Sequence, residues 1–521
     1  MTGNSINAIR TIHASALWRN HRVLWRASTS ALILILSVTH AKGQSAPARD
    51  SLSRSSPSAE VTPQPRDAEA ELESELQALQ GRPGGLTASQ AAERALAVSH
   101  DLAASRHREA AADADVDAAR IRYAPRLTLS AGYTRYSPID APSLGMIVVA
   151  PNAQPNQQNP APTFAHPFSF PVLLNQTVLR AALVVPLSDY FLKFPQLLDA
   201  SKSGKNLAHL NQLSQQARTV TEAKVGYYSW TRAVLQQVAA RQAHQRALDH
   251  LADTKRALDA GLATTADFRA TEAQVAQAEL LETRATNNVA ITAEQVRLQL
   301  HLAPEAQLEI GESIITPPVL PPVPRFDQAW QEAQQSRPEL LAFSQSERQL
   351  RRQADALTAS ELPRVDALGE ILTANPNPRY QPPVDAFKTT WSVGIQATWT
   401  VNDWPSNAAT KKGLEAQADA LASQRDALKE SLRADIVSAS RGVEQAATTI
   451  GSTQRGIEAA EAAYRVRRDQ YLTGRATNVE LTDAETELTR ARIDHIDALV
   501  DARIAAVQLE YALGRATTRQ Q

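Results

Sequence analysis

The 521-residue sequence predicts a mixed α and β chain, in which transmembrane-type β-strands continue into very long α-helices and the whole plan is written twice. Three observations carry that prediction. The order of motifs repeats at a nearly fixed offset, no proline interrupts residues 196–260, and residues 391–401 alternate strictly between apolar and polar.

The repeat sets the domain plan. Ala91 pairs with Ala329, Leu102 with Leu340 and Pro125-Arg126 with Pro363-Arg364, each 238 positions apart. Further on, Asp189 answers Asp403 and Gly261 answers Gly474, at offsets of 214 and 213. The offset shrinks because the first half carries a longer insert between Tyr136 and Asn175. Each half reads helix, Pro-started extended segment, loop, extended segment, long helix, Gly turn, long helix.

The long helices follow from periodicity. Leu207, Leu210, Leu213, Ala217 and Val220 recur at steps of three and four, and Val234, Val238, Leu248, Leu251 and Leu258 continue the stripe. At 1.5 Å per residue such a segment reaches ~100 Å. Helices of that length with Ala and Leu seams pack side by side as coiled coils or larger helical tubes.

In Trp391–Val401, Trp391, Val393, Ile395, Ala397, Trp399 and Val401 share one side, while Ser392, Gly394, Gln396, Thr398 and Thr400 share the other. An apolar face carrying two tryptophans and an uncharged polar face suit a strand with lipid on one side and water on the other. A soluble sandwich strand shows the same alternation; the export signal and the flanking helices favour the membrane reading. In the first half Leu127, Leu129, Ala131 and Tyr133 alternate with Thr128, Ser130, Gly132 and Thr134, and Leu179, Ala181, Leu183, Val185 and Leu187 give a second such face. The remaining strand, Val365–Thr373, is less regular because Leu368 and Leu372 fall on the polar side. Four strands cannot close a barrel, and an open edge cannot sit in lipid with unpaired N–H and C=O groups. Closure therefore needs further copies. The connections Ser137–Pro171 and Asn375–Pro383, dense in Pro, Asn and Gln, read as exposed tips.

The ends and connectors complete the plan. Arg10, Arg19, Arg22 and Arg26 precede the apolar run Ala31–Val38 and small residues at Ala41, Gly43 and Ser45, which reads as a secretory signal over residues 1–44. A partly disordered extension, 45–85, leads to the first repeat, 86–315. A Pro-rich connector, 316–325, precedes the second repeat, 326–515, and a short tail, 516–521. No run approaches the ~20 apolar residues of a membrane-spanning helix.

Composition narrows the function classes. With 54 Lys+Arg against 55 Asp+Glu and a net charge of −1, the chain has no broad footprint for nucleic acid. With no cysteine it has neither disulfides nor thiolate chemistry. G-x-S-x-G, a Walker lysine loop and H-E-x-x-H are all missing, and His244 and His250, six apart, have the wrong spacing for helical metal ligands and read as solvated or packing residues. No catalytic, cofactor-binding or metal-ligating constellation is expected.

The two Gly turns can be read from residue chemistry. In Leu258–Asp267 one helix ends at Gly261, which can take the left-handed C′ conformation, and Thr264 with Asp267 has capping-box spacing for the next. Tyr471–Glu480 repeats the plan with Gly474, Thr477 and Glu480. Both are tight helical hairpins.

Taken together, the stretch LTASQAAERALAVSHDLAASR (Leu86–Arg106), the step Ala124-Pro125-Arg126-Leu127, the two Gly turns and the duplication resemble the TolC-type outer-membrane efflux proteins over Leu86 to Arg515. That resemblance implies a homotrimer in which each subunit gives four strands to a 12-stranded barrel in outer-membrane lipid, continued by a helical periplasmic tunnel. It implies a periplasmic adaptor (membrane fusion) protein and an inner-membrane pump as partners, and passive conduction within this subunit. It places Glu480 and Asp483 in carboxylate rings at the tunnel's narrowest point, and Asp267, Tyr471 and Arg475 in a latch between neighbouring hairpins. Arg475 stands one place nearer the glycine than the family pattern has it. Gly261, Leu262, Thr264, Gly474, Arg475 and Thr477 would form the adaptor-docking turns, and Trp391, Trp399 and Tyr133 the aromatic girdle. Acids in a first helical turn also complement the helix dipole, which is the plainer reading of Glu480 and Asp483. A type I protein-secretion duct shares this architecture, and a periplasmic coiled-coil scaffold is the alternative of another class.

Overall fold

Each repeat opens with a broken helix. In the computed structural model, which describes residues 81–82, 84–140, 143–149, 164–169 and 172–516, α1 (Ala88–Val98) and α2 (His100–Ile121) are separated at Ser99. Their counterparts α6 (Phe326–Ser336) and α7 (Pro338–Ala359) are separated at Arg337, at the offset the sequence gives. Thr87 starts α1 with a capping box closed by Gln90, and Ser99 caps α2 through the Leu102 N–H. The expected signal (1–44), most of the extension (45–85) and the last five residues of the tail lie outside the described residues.

The long helices form as the periodicity predicts. α3 (Leu187–Leu192) leads into α4 (Phe194–Asp259, 66 residues), which turns back as α5 (Thr265–Gln299). In the second half α8 (Asp403–Leu472, 70 residues) turns back as α9 (Asn478–Ala512). The matched positions Ala91 and Ala329 are both buried, as are Leu102 and Leu340. One core joins Tyr227, Trp230 and Leu235 of α4 to Val296 of α5, Val500 of α9 and Ile314 at the end of the first repeat. A second packs Ala329 and Ala333 against Ile436, Val443, Leu509 and Leu513. Alanine at so many buried positions lets helix backbones approach closely, so these seams are held by contact area rather than by large side chains.

β1 (Arg126–Arg135), β4 (Asn175–Pro186), β5 (Arg364–Asn375) and β6 (Lys388–Thr398) form one antiparallel sheet in the order β1-β4-β5-β6, within which each half contributes a pair. Register places Leu129 opposite Ala181, Ala181 opposite Ile371 and Ile371 opposite Trp391. Leu127, Leu183, Gly369 and Val393 line up in the same way. One face is therefore apolar across all four strands, and its large side chains are exposed.

Three details differ from the sequence expectation. Leu187 begins α3 instead of ending a strand, because the chain bends at Pro186. The insert Ser137–Pro171 is not all loop: β2 (Ser143–Val149) and β3 (Phe164–Ser169) pair in an antiparallel hairpin. The Asn375–Pro383 connection is not a free tip either, since Asn377 is buried. The Pro-rich connector has no regular structure and is held at its start by Arg503, whose guanidinium donates to Thr316 O and to Ser313 O just before it.

Candidate functional site

Two regions gather the residues that the sequence singles out: the sheet with its helix junctions, and the paired helical turns. In the sheet, Trp391 and Tyr133 stand exposed on the apolar face, and the Tyr133 hydroxyl donates to Asn175 Oδ1 at 3.0 Å. Trp399 lies just past β6 and its ring N–H donates to Glu361 O at 3.1 Å. Trp391 and Trp399 are eight residues apart, roughly 27 Å along a strand. A tilt of about 40° turns this into roughly 21 Å of height, close to the ~25 Å apolar band of a membrane barrel. Phe191 and Trp404, exposed by 81% and 57%, join Trp399 where strands become helices; the sequence reading missed both because they lie in helices just beyond the alternating segments.

The opposite face is polar, with Thr128, Ser130, Glu370, Ser392 and Gln396, and Arg180 pairs there with Glu370 at 3.4 Å. Among the described residues, β1 and β6 each have one edge without a partner strand. Every strand of this sheet runs into a helix within a few residues: α2 into β1, β4 into α3 and α4, α7 into β5, and β6 into α8. Aromatic contacts stiffen one junction, where Tyr123, Tyr190 and Phe194 pack together and the Tyr190 hydroxyl donates to Tyr123 O at 2.8 Å.

At the turns, Gly261 and Gly474 have φ of 72° and 71°, the left-handed conformation that the hairpins require. Thr264 and Asp267 form a closed capping box: Asp267 Oδ2 accepts the Thr264 N–H at 3.0 Å, and the Asp267 N–H donates to Thr264 Oγ1 at 3.1 Å. Thr477 and Glu480 repeat it at 2.9 and 3.3 Å. The Thr264 hydroxyl and N–H hold the Asp267 carboxyl below its ordinary range, and the Thr477 N–H and hydroxyl do the same for Glu480. Because both carboxyls are depressed in the fold, the caps contribute above the ordinary carboxylate range and are lost as pH falls through the folded values. Thr477→Ala is expected to cost about 1 kcal/mol of helix stability, read as a lower thermal midpoint that Thr477→Ser restores.

The expected gate and latch residues separate. Glu480 is engaged by Thr477 and by Arg467 at 3.1 Å, whereas Asp483, one turn on, is exposed and makes no ion pair among the described residues. Arg475 is exposed, and its guanidinium likewise makes no bond among the described residues, although its backbone N–H closes the turn on Gln470 O. Asp267 is committed to its own box. Tyr471 does bridge the hairpins, but to Thr254 at 2.9 Å and not to Asp267 or Arg475. Burial raises the Tyr471 hydroxyl pKa, so the phenol keeps its proton. Leu262, at the first turn, is 84% exposed.

What joins the two hairpins is a polar ladder along α4 and α9. Reading toward the turns, Arg232 binds Asp501, Gln236 Nε2 donates to Asp497 at 2.7 Å, and Arg492 Nη1 donates to Gln242 at 2.9 Å. Arg246 Nη2 donates to Thr489 at 3.0 Å, and His250 Nδ1 lies 3.2 Å from Glu485 Oε2. Burial, with Arg492 nearby, pushes Arg246 down to about 10. The His250 and Glu485 side chains are 1% and 6% exposed, so His250 is a buried partner and not a solvated one. At the ladder's end Asn478 Oδ1 accepts from Thr271 at 3.2 Å. No group of three metal-ligating side chains occurs among the described residues.

Among those residues no helix is long and apolar enough to cross a membrane. Solved structures share the fold. The outer-membrane channel OprN aligns over 82% of this chain and 89% of its own at 20% identity, with a TM-score of 0.65. The Campylobacter jejuni CmeC outer membrane channel aligns over 82% and 86% at 13% identity, with a TM-score of 0.66. VceC of Vibrio cholerae aligns over 82% and 96% at 15% identity, with a TM-score of 0.65. No curated protein matches the sequence. The family model described as outer membrane efflux protein matches residues 91–300 and 329–515, one segment in each repeat, and the chain therefore belongs to that family and to the outer membrane of a Gram-negative bacterium.

Proposed function

We propose that the chain is the outer-membrane channel subunit of a tripartite efflux system, passing substrates delivered by a periplasmic adaptor and an inner-membrane pump to the exterior. The carrying observation is the sheet: one face apolar and exposed across four strands, two unpaired edges, and strands that run directly into helical hairpins. Hydrocarbon cannot satisfy open edges, so β6 of one copy pairs with β1 of the next, and three copies close a 12-stranded barrel. Trp391 and Tyr133 mark its outer rim, with Trp399, Phe191 and Trp404 at the periplasmic one. The exposed turns, Leu262 foremost, dock the adaptor. Conduction is passive, with the driving energy supplied by the pump.

Within the tip, Asp483 forms the acidic ring, since its carboxylate makes no ion pair among the described residues, while Glu480 is held as a helix cap. Three unpaired carboxylates around one axis attract cations and resist crowding. In planar bilayers Asp483→Asn is expected to weaken block by divalent cations about tenfold, a loss of roughly 1.4 kcal/mol, and Glu480→Gln is expected to leave block nearly unchanged. Equal block in all three channels removes Asp483 from the gate. A chain that yields no conductance and no heat-modifiable trimer refutes the channel reading itself.

A further inference from the structure

In the β5–β6 connection, residues 376–387, the first residues fold back over the polar face of the sheet through Asn377 and Arg379. Asn377 is 1% exposed, although it sits in a loop at the end of a hairpin. Its side-chain amide donates to Lys388 O at 2.9 Å and Thr390 Oγ1 at 3.3 Å, and its Oδ1 accepts the Arg379 N–H at 3.0 Å. Arg379 Nη1 in turn donates to Trp391 O at 2.7 Å. A buried carboxamide with partners on both its oxygen and its nitrogen fixes one conformation, because leaving either atom unpaired there is costly.

Register shows which side the loop covers. Ile371 and Trp391 lie on the apolar face, so Leu372, Ala374 and Thr390 lie on the other. Leu372 and Ala374 are buried, at 6% and 0% exposure, while Leu368 and Glu370, lower on the same face, are half-buried. This accounts for an irregularity of the sequence. Leu372 breaks the polar pattern of β5 because it faces the folded-back loop rather than water.

We propose that this loop is a strap fixed across the channel mouth, which acts as an outer size filter for exported solutes and is separate from the helical tip. The proposal rests on the barrel reading above, because closure turns the polar face into the lumen and repeats the strap three times around it. Small solutes pass between the straps, and bulky ones require Asn377 and Arg379 to let go.

The absence of cysteine makes a single introduced thiol a unique reporter. Gln396→Cys lies on the polar face toward the periplasmic end of β6, and Asp385→Cys lies exposed in the loop itself. Intact cells carrying the full chain are treated from outside with a small sulfonated maleimide and with polyethylene-glycol maleimides of increasing mass. Combining Asn377→Ala with Arg379→Ala is expected to speed labelling of Gln396→Cys by the large reagents about tenfold, a barrier lowered by roughly 1.4 kcal/mol. Labelling of Asp385→Cys should not change. Replacing residues 378–385 by a short Gly-containing turn should act in the same direction, which covers the case that the double variant misfolds. Equal rates for large reagents with the strap intact, loosened and shortened overturn the strap. Failure of every reagent at Asp385→Cys overturns the outward orientation of the sheet, and with it the channel reading.

Discussion

Ile395→Arg is expected to keep the chain out of the outer membrane, whereas Gln396→Arg, one residue along the same strand, is expected to be tolerated. Ile395 is 75% exposed on the apolar face, halfway between Trp391 and Trp399, and therefore near the middle of the lipid band. A basic side chain at that depth costs about 2–4 kcal/mol. A homotrimer incurs it three times, roughly 6–12 kcal/mol, comparable with the whole stability of an ordinary domain. Gln396 points to the polar face and its water, where a charge incurs little of this. The measurement is the heat-modifiable trimer recovered in the outer-membrane fraction: absent for Ile395→Arg, near wild-type for Gln396→Arg. Equal recovery of the two variants would mean that the face assignment is wrong.

That pair of substitutions also marks what the sequence makes legible. Alternation assigns each residue of β6 to a face without knowledge of its neighbours, and the 238-residue offset links Ala91 with Ala329 and Leu102 with Leu340, all four of them buried. Gly261 and Gly474 announce their turns because few other residues tolerate φ near +70°. The missing parts depend on register across long separations. His250 and Glu485 are 235 residues apart and meet only because α4 and α9 run antiparallel at one particular stagger. Seen alone, a histidine in an Ala- and Gln-rich helix reads equally as solvated or as packing. Asn377 was hidden for a related reason: Pro- and Asn-rich loops suggest exposed tips, and nothing local shows which face such a loop folds onto. Leu372 was the available signal, an apolar residue out of phase with its strand.

His250→Ala is expected to loosen the packed hairpins more than Tyr471→Phe, because of what each substitution leaves behind. Removing one partner of a buried hydrogen-bonded pair costs about 1–3 kcal/mol, since the other is left unsatisfied. Glu485, with its side chain 6% exposed, is in that position. The penalty exists only while the hairpins are packed, because parting lets water reach the Glu485 side chain. The whole of it therefore biases the tip toward the parted state, by about a hundredfold at the upper end of ~3 kcal/mol. Tyr471→Phe removes one hydrogen bond to Thr254, worth about 1 kcal/mol, or roughly fivefold. Replacing both His250 and Glu485 by Leu removes the buried polar pair and substitutes apolar contact that parting would expose, so that variant should stay as closed as the wild type. Baseline conductance in planar bilayers should therefore be highest for His250→Ala, intermediate for Tyr471→Phe and low for the double-leucine variant. The doubly substituted channel is the discriminating one. If it leaks as much as His250→Ala, the ladder holds the hairpins through the specific geometry of this pair; if none of the three leaks, the hairpins are held by the apolar core around Tyr227, Trp230 and Leu235 alone.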